Sequence, residues 1–381
     1  MNSYLPIGER IAIYRRRRGL SQMRLGGLIG RSEDWVSKVE RGDLPVDRIS
    51  VLVRVAQALH VHLSDLIRDP VPPEGAGVQV NEGIADLRRA LIRVPVSSSG
   101  ETPPDLDALR RDVLAVHDLR AQVRHADSLV PLPALLANLQ LAAATHTGEA
   151  RTEAFGLLTR GYELAGRTLG RYGANDLAWI AADRAVHAAE HSGRPDDQLL
   201  GAYALTHALM AAGKLEDAAA VGEAALTRAR GDLRSPRVRA LSGAVMLALA
   251  VVAARRGDRG SVYEALSEAT ARTRNRHGRV DVPADLADWT QFGPANVGVH
   301  RVSAAVELGD AGDALRIARS LDLDGLSLSR RSRHLLDVAL AHSYRRDTDR
   351  MVSTLLEIER FAPERLINAQ LHALADRIGA T

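Results

Sequence analysis

The run Ser21-Gln22-Met23-Arg24-Leu25-Gly26-Gly27-Leu28-Ile29-Gly30-Arg31-Ser32, continued by Trp35-Val36-Ser37-Lys38-Val39-Glu40-Arg41-Gly42, decides the fold of the N-terminal part of the chain. Ser21 and Ser32 have the character of N-caps, whose hydroxyl oxygens accept from amides left unpaired in a helix's first turn. Gly30 supplies a turn between them and Gly42 an end. Two short helices joined by a tight glycine turn predict a helix-turn-helix. Leu25 and Leu28, three residues apart, are expected to face inward together, as are Val36 and Val39.

Outward from this run, Ile7 and Ile11 predict a first helix that the chain leaves at Gly19. Asp47 is placed to cap a fourth, with Ile49, Leu52, Val53, Ala56 and Leu59 as its apolar stripe. Leu63, Leu66 and Ile67 offer a closing turn. Five helices this short bury a core only by packing across one another.

The matched positions Ser21, Gln22, Leu25, Gly30, Ser32, Val36, Ser37, Glu40 and Gly42 resemble the phage-repressor-like, or XRE, family of DNA-binding domains, over roughly residues 7 to 68. Two positions depart from that pattern. Gly26 stands where the family prefers Ala, which predicts a cost of about 1 kcal/mol in helix propensity, and Arg31 stands where a small apolar residue is usual. The resemblance implies that Gln22 touches DNA at the start of the second helix and that Ser32 and Ser37 approach the DNA backbone.

A helix starting at Ser32 fits the major groove, with its early exposed residues toward base edges and Val36 and Val39 toward the core. The candidate DNA contacts are Arg17, Gln22, Arg31, Ser32, Glu33, Asp34, Trp35, Ser37 and Lys38. Glu33 or Asp34 is suited to accept from cytosine N4, and Lys38 to reach a phosphate or a guanine edge. Trp35 has two readings, a shield for the core edge or a surface that stacks on sugar and phosphate. The run Arg15 to Arg18 is either a solvated helix end or a phosphate-contacting cluster. Glu40 and Arg41 read as internal scaffold or charge-pair residues.

Charge distribution agrees with an anion-binding head. The 381 residues carry a net +3, while residues 1–69 alone carry +4 and the remainder −1. One such domain covers only about 600–1,000 Å² of DNA, so a homodimer is expected to place two recognition helices about 34 Å apart on a palindrome-like operator of double-stranded DNA. The dimer surface is expected beyond residue 69.

Asp69-Pro70-Val71-Pro72-Pro73-Glu74-Gly75-Ala76-Gly77 is rich in helix breakers and predicts a linker. Leu87, Leu91 and Ile92 suggest a connecting helix within residues 70–104, interrupted again from Pro95 to Pro104. From residue 105 to 381 the periodicity is helical almost throughout, with helices expected over 106–128, 132–146, 149–169, 174–191, 196–212, 215–230, 237–256, 261–277, 295–308, 311–320, 329–344, 347–361 and 364–378. Ala212-Gly213-Lys214-Leu215-Glu216-Asp217-Ala218 resembles the inter-helix turn of a tetratricopeptide repeat, and the break recurs at Arg256-Gly257-Asp258 and Leu308-Gly309-Asp310. Spacings of 44 and 52 residues between these glycines exceed the family's 34. The expected fold is therefore all-α: a five-helix helix-turn-helix domain followed by a degenerate tetratricopeptide-like α-solenoid, whose concave face suits a peptide or small-molecule effector.

Aromatic residues are scarce, with three Trp, seven Tyr and three Phe, so Trp289-Thr290-Gln291-Phe292-Gly293-Pro294-Ala295-Asn296 stands out. Trp289, Phe292 and Asn296 are candidate ligand contacts, against the alternative of a structural plug. This segment and Leu328-Ser329-Arg330-Arg331-Ser332-Arg333-His334 resemble the C-terminal regions of actinobacterial XRE regulators with tetratricopeptide-like bodies. The whole architecture resembles peptide-responsive regulators of Gram-positive quorum sensing.

His187-Ala188-Ala189-Glu190-His191 matches an inverzincin spacing, yet the sequence names no third ligand, and an exposed or internally satisfied histidine pair is the preferred reading. No metal or other cofactor is expected. Zero cysteines remove disulfides, thiol nucleophiles and cysteine-ligated metals. No phosphate-binding Gly-Lys-Ser/Thr loop, dinucleotide fingerprint or serine-hydrolase elbow occurs. The N-terminus has no secretory pattern, and the most apolar stretch, 245–254, is shorter than the roughly 20 residues that span a bilayer. The sequence thus predicts a soluble, cytoplasmic, non-enzymatic transcriptional regulator. A protein-interaction scaffold with weak DNA binding and a zinc-dependent hydrolase are the alternatives.

Overall fold

The computed structural model describes residues 7–44, 46, 49–59, 61, 66, 76–92, 102–274, 277–283 and 289–361, and among them it is all-α. The chain divides into two compact units, an N-terminal head and a larger helical body.

Four helices of the head are described: α1 (Ile7–Arg17), α2 (Gln22–Ile29), α3 (Glu33–Glu40) and α4 (Ile49–Leu59). Ile11, Leu25, Ile29, Val36, Val39, Val55, Leu59 and Leu66 form its core. Leu28 does not join them. It is 59% exposed, because α2 buries Leu25, Gly26 and Ile29, and at 100° per residue Leu28 falls about 100° from the centre of that face. Gly26 is explained by the same contact. A Cβ there would lie 2.7 Å from the Arg31 carbonyl oxygen, so the chain entering α3 passes over a position where Ala does not fit. Asp47, Leu63, Ile67 and the side chain of Val53 lie outside the described residues, as does all of the expected fifth helix except Leu66.

The body begins with α5 (Ala76–Ile92), α6 (Leu106–Ala121), α7 (His125–Leu129) and α8 (Leu132–Thr145). Ala76 and Gly77, which the sequence assigns to the linker, open α5, and fully buried Leu87 and Leu91 hold this helix against α7 and α8 as part of the core. The single helix expected over 106–128 is two, separated where Val123 takes a positive φ of 66°.

Five helix pairs follow: α9 (Gly148–Arg171) with α10 (Asn175–Ser192), α11 (Pro195–Ala211) with α12 (Leu215–Arg228), α13 (Pro236–Arg255) with α14 (Arg259–Arg272), α15 (Pro294–Glu307) with α16 (Ala311–Ala318), and α17 (Leu328–Tyr344) with α18 (Thr348–Phe361). One turn joins the helices within every pair. Its left-handed residue is Gly173, Gly213, Gly257, Gly309 or Arg346, and the next amide donates back to the carbonyl five positions earlier, as in Lys214 to Leu209 at 2.9 Å and Asp310 to Ala305 at 2.8 Å. Glycine is favoured because L side chains meet the backbone at positive φ. Sequence reading finds three of these turns, at Gly213, Gly257 and Gly309; it passes over the one at Gly173, and the last has Arg for Gly. The pairs approach closely through fully buried Ala154, Ala165, Ala181, Ala185 and Ala250.

Helix α13 corrects the hydropathy reading. All 20 of its residues form one helix long and apolar enough to cross a membrane by length and composition, and α7 and α8 together make a second such stretch over 125–145. An 83% buried window identifies α13 as the central core helix of the body. The helix expected over 261–277 ends at Arg272, and that expected over 364–378 lies outside the described residues.

Candidate functional sites: a recognition helix and an arginine-lined cavity

The head is organised to fix α3 from behind. The Ser21 hydroxyl accepts from the Arg24 amide at 3.1 Å and the Ser32 hydroxyl from the Trp35 amide at 3.1 Å, so both helices of the motif start on side-chain caps. Glu40, at the end of α3, is buried and receives both Arg15 Nε at 2.5 Å and Arg15 Nη2 at 2.7 Å. Arg15 Nη1 donates to the Leu20 carbonyl at 2.8 Å, and Gln22 Nε2 donates to Glu40 Oε2 at 2.8 Å. Burial alone would raise the Glu40 pKa, but the hydrogen bonds from Arg15 and Gln22 and the Arg15 charge hold it below the ordinary carboxylate value. One carboxylate thereby ties α1, α2 and α3 together.

With Val36, Val39 and Glu40 inside, Arg31, Ser32, Glu33, Asp34 and Lys38 are exposed. Lys38 Nζ lies 2.8 Å from Asp34 Oδ2, both groups largely in solvent, a pair weak enough to be exchanged for a DNA contact. Trp35 is half-buried against the head core, with the Arg31 guanidinium 5.4 Å above its ring. The half-buried Ser37 hydroxyl accepts from Arg41 Nη1 at 2.7 Å. Arg41 is exposed and also donates to Asp43, so it belongs to a surface network. Arg17 is exposed beside the Tyr14 ring. Gln22 is committed through one amide proton to Glu40 and keeps a second for another acceptor.

The body holds a cavity of about 290 Å³, walled by α6, α7, the inner helices of the five pairs, the start of α10 and the Trp289 segment. Among the described residues its lining carries six arginines, Arg120, Arg167, Arg171, Arg255, Arg330 and Arg333, against two carboxylates, Glu163 and Asp337. Glu163 takes Arg167 at 3.2 Å, Asp337 takes Arg333 at 3.5 Å, and Arg255 is held at 3.2 Å by Glu307. Arg330 donates to the Tyr203 hydroxyl. Arg120 Nε is buried without a hydrogen-bond partner among the described residues. Burial, together with the charge of Arg167, pushes Arg120 down to about 9. Burial and the Arg330 charge push His300 down to about 3, and burial and the Arg167 charge hold His207 well below its ordinary value. These histidines are neutral at pH 7 and act as hydrogen-bonding groups in a cationic chamber.

Of the three residues singled out as ligand contacts, the structure brings one to this cavity. Trp289 is on its wall, stacked on His117 at 4.6 Å between ring centroids, and its carbonyl oxygen lies 3.2 Å from His117 Nε2. Phe292 is 1% exposed and fills the groove left by Gly243, where an added Cβ would lie 2.0 Å from its ring. Asn296 is buried on the first turn of α15, and its carbonyl oxygen lies 2.9 Å from His300 Nδ1. These two are packing residues because the segment turns its aromatic ring at 292 away from the chamber and into the core. The arginines escaped sequence reading because they come from separate helices. Their local signal is the helical spacing of Glu163, Arg167 and Arg171, and of Arg330 and Arg333.

The zinc reading finds no support in geometry. His187 Nδ1 lies 2.9 Å from the Asp183 carbonyl oxygen and His191 Nδ1 2.8 Å from that of His187, while the His191 ring stacks on Phe155. Among the described residues no group of three His, Asp or Glu is placed to hold a metal ion.

Residues 6–67 match the family model of a helix-turn-helix domain. The chain is thus a helix-turn-helix domain followed by a tetratricopeptide-like helical region. Three solved structures are similar to it over most of its length. Bacillus thuringiensis PlcR in complex with the peptide PapR7 and DNA is 13% identical, with 70% of this chain and 93% of that one covered at a TM-score of 0.32. Aspartyl phosphate phosphatase F from Bacillus subtilis is 12% identical, covering 95% and 96% at 0.45. The apo form of ComR from S. thermophilus is 12% identical, covering 87% and 98% at 0.29. No curated protein matches the chain.

Proposed function

We propose that this chain is a cytoplasmic, sequence-specific transcriptional regulator that binds operator DNA as a homodimer and is modulated by an effector seated in its helical body. The observation that carries the reading is the division of α3, whose inner side is locked by Val36, Val39 and the Arg15–Glu40 pair while Arg31, Ser32, Glu33, Asp34 and Lys38 stand in solvent. Rigid presentation of an exposed helix is what groove recognition needs.

In this reading Glu33 or Asp34 accepts from cytosine N4, and Lys38 leaves Asp34 for a phosphate or a guanine edge. The second amide proton of Gln22, together with Arg17, Arg31, Ser32 and Ser37, positions the DNA backbone, with Trp35 at the edge of that contact. The body supplies the dimer surface and the effector seat, and no covalent step is required. An effector acts by binding one arrangement of the dimer better than another. Selection of bound fragments from random DNA by the full-length protein tests this. A recovered palindrome bound above the salt-dependent background is the expected result; uniform binding that simply fades with salt defeats the reading.

A further inference from the structure

The chamber in the body has the wrong charge to be a structural core. Moving an unpaired cation from water into a protein interior costs several kcal/mol, and natural cores avoid it unless a partner carries the opposite charge. Around these 290 Å³, among the described residues, Arg167, Arg255 and Arg333 each have a carboxylate within ion-pair distance, Arg330 meets the Tyr203 hydroxyl, and Arg120 keeps a buried Nε with no hydrogen-bond partner. Arg120 is on α6 and Arg330 on α17, helices that touch although more than two hundred residues separate them in sequence. Each also lies in the field of Arg167. A fold free to choose any residue would place Met or Leu here and gain stability.

We propose that the chamber is the binding site for a compact metabolite with two or more negative charges, carried on carboxylate or phosphate groups, and that Arg120 and Arg330 are the residues that hold it. Planar guanidinium groups recognise both kinds of oxyanion through paired N–H donors. The neutral imidazole of His207 offers an N–H without adding charge to the free chamber, while His300 spends its own on the Asn296 carbonyl. The volume equals about ten waters at their share of liquid, room for a small di- or triacid or a short phosphate. The proposal gives a chemical class to the effector seat named above, and it is testable without DNA.

The experiment is calorimetric titration of the full-length protein with citrate and with pyrophosphate at constant ionic strength, with glycerol and spermidine as neutral and cationic controls. Thermal melts accompany each titration. One of the two anions is expected to bind with one site per chain and raise the melting temperature of the body, and the choice between them separates carboxylate from phosphate. Arg120→Met is expected to weaken binding by tenfold or more and to melt no lower than the parent without ligand; Arg330→Lys retains charge but loses the fork, and is expected to bind less tightly. Failure of both anions to bind overturns the proposal, as does undiminished binding in both variants. An Arg120→Met protein that melts lower or does not fold overturns it too, since the arginine is then structural. Fragment selection reports on the head independently, so either result can fail without the other.

Discussion

The head and the body treat buried charge in opposite ways. In the head, Arg15 meets Glu40 through two hydrogen bonds, Gln22 adds a third, and the charge is cancelled where it is buried. In the body, among the described residues, six arginines surround a chamber whose wall contributes two carboxylates. The contrast separates two uses of one side chain. A paired internal arginine fixes architecture, and here it fixes the helix that faces outward; an arginine without its counter-charge keeps a place for something that arrives later.

The largest expected effect breaks the head's side of this contrast. Glu40→Ala leaves Arg15 buried without its partner and is expected to cost about 3–5 kcal/mol of head stability, seen as a lower urea midpoint for the head with the body's transition unchanged. A head that melts as before would mean that the pair is decorative.

Next comes pH, which should act on the two units in different windows. His300 and His334 sit at about 3 and about 4 in the folded body, the first lowered by burial and the Arg330 charge, the second by burial, whereas an unfolded chain protonates them near 6.5. Their contribution is complete above pH 6.5 and is lost as pH falls below it, because the unfolded state takes up protons that the folded state refuses. Each histidine removes about 1.4 kcal/mol per pH unit below 6.5, or about 4 kcal/mol for both between pH 7 and 5. Glu40 loses its contribution in the same direction but in a lower window of pH. Its depressed pKa gives stability that is present above 4.5, the ordinary value, and is lost only as pH falls through the lower folded one. Urea titrations at pH 7 and 5 should therefore show the body weakening while the head holds.

A smaller effect sharpens the account of the head's turn. Gly26→Ala improves helix propensity by about 1 kcal/mol but forces a methyl against the Arg31 carbonyl, and overpacking of this kind costs about 1–3 kcal/mol. The net expectation is a loss of about 1 kcal/mol in thermal or urea unfolding, opposite in sign to what helix propensity alone predicts. Smallest in free energy is Lys38→Ala, expected to reduce the slope of log affinity against log salt by about one unit in DNA-binding titrations, with no change in unfolding.

Much of the head could be read directly because its signals are local. Ser21, Gly30 and Ser32 act on backbone groups within a few residues, and Val36 and Val39 obey a single helix's period. The exposure of Leu28 and the reason for Gly26 share one cause: both depend on which way α2 turns toward a neighbour, which periodicity in one helix leaves open. In the body, the turns at Gly213, Gly257 and Gly309 announced paired helices, while that at Arg346 was hidden by a residue rarely used at positive φ.

The sequence by itself determined most of the described helices, the Ser21 and Ser32 caps, three of the five repeated turns and the exposed residues at the start of α3, since hydrogen bonding and side-chain period act over one or two turns of chain. Only the tertiary structure decided that Phe292 and Asn296 pack inside the body, that Trp289 leans on His117 across 172 residues, and that arginines from distant helices converge on one chamber. Electrostatic fields add through space, so a site built from their sum leaves no mark on any single stretch of sequence.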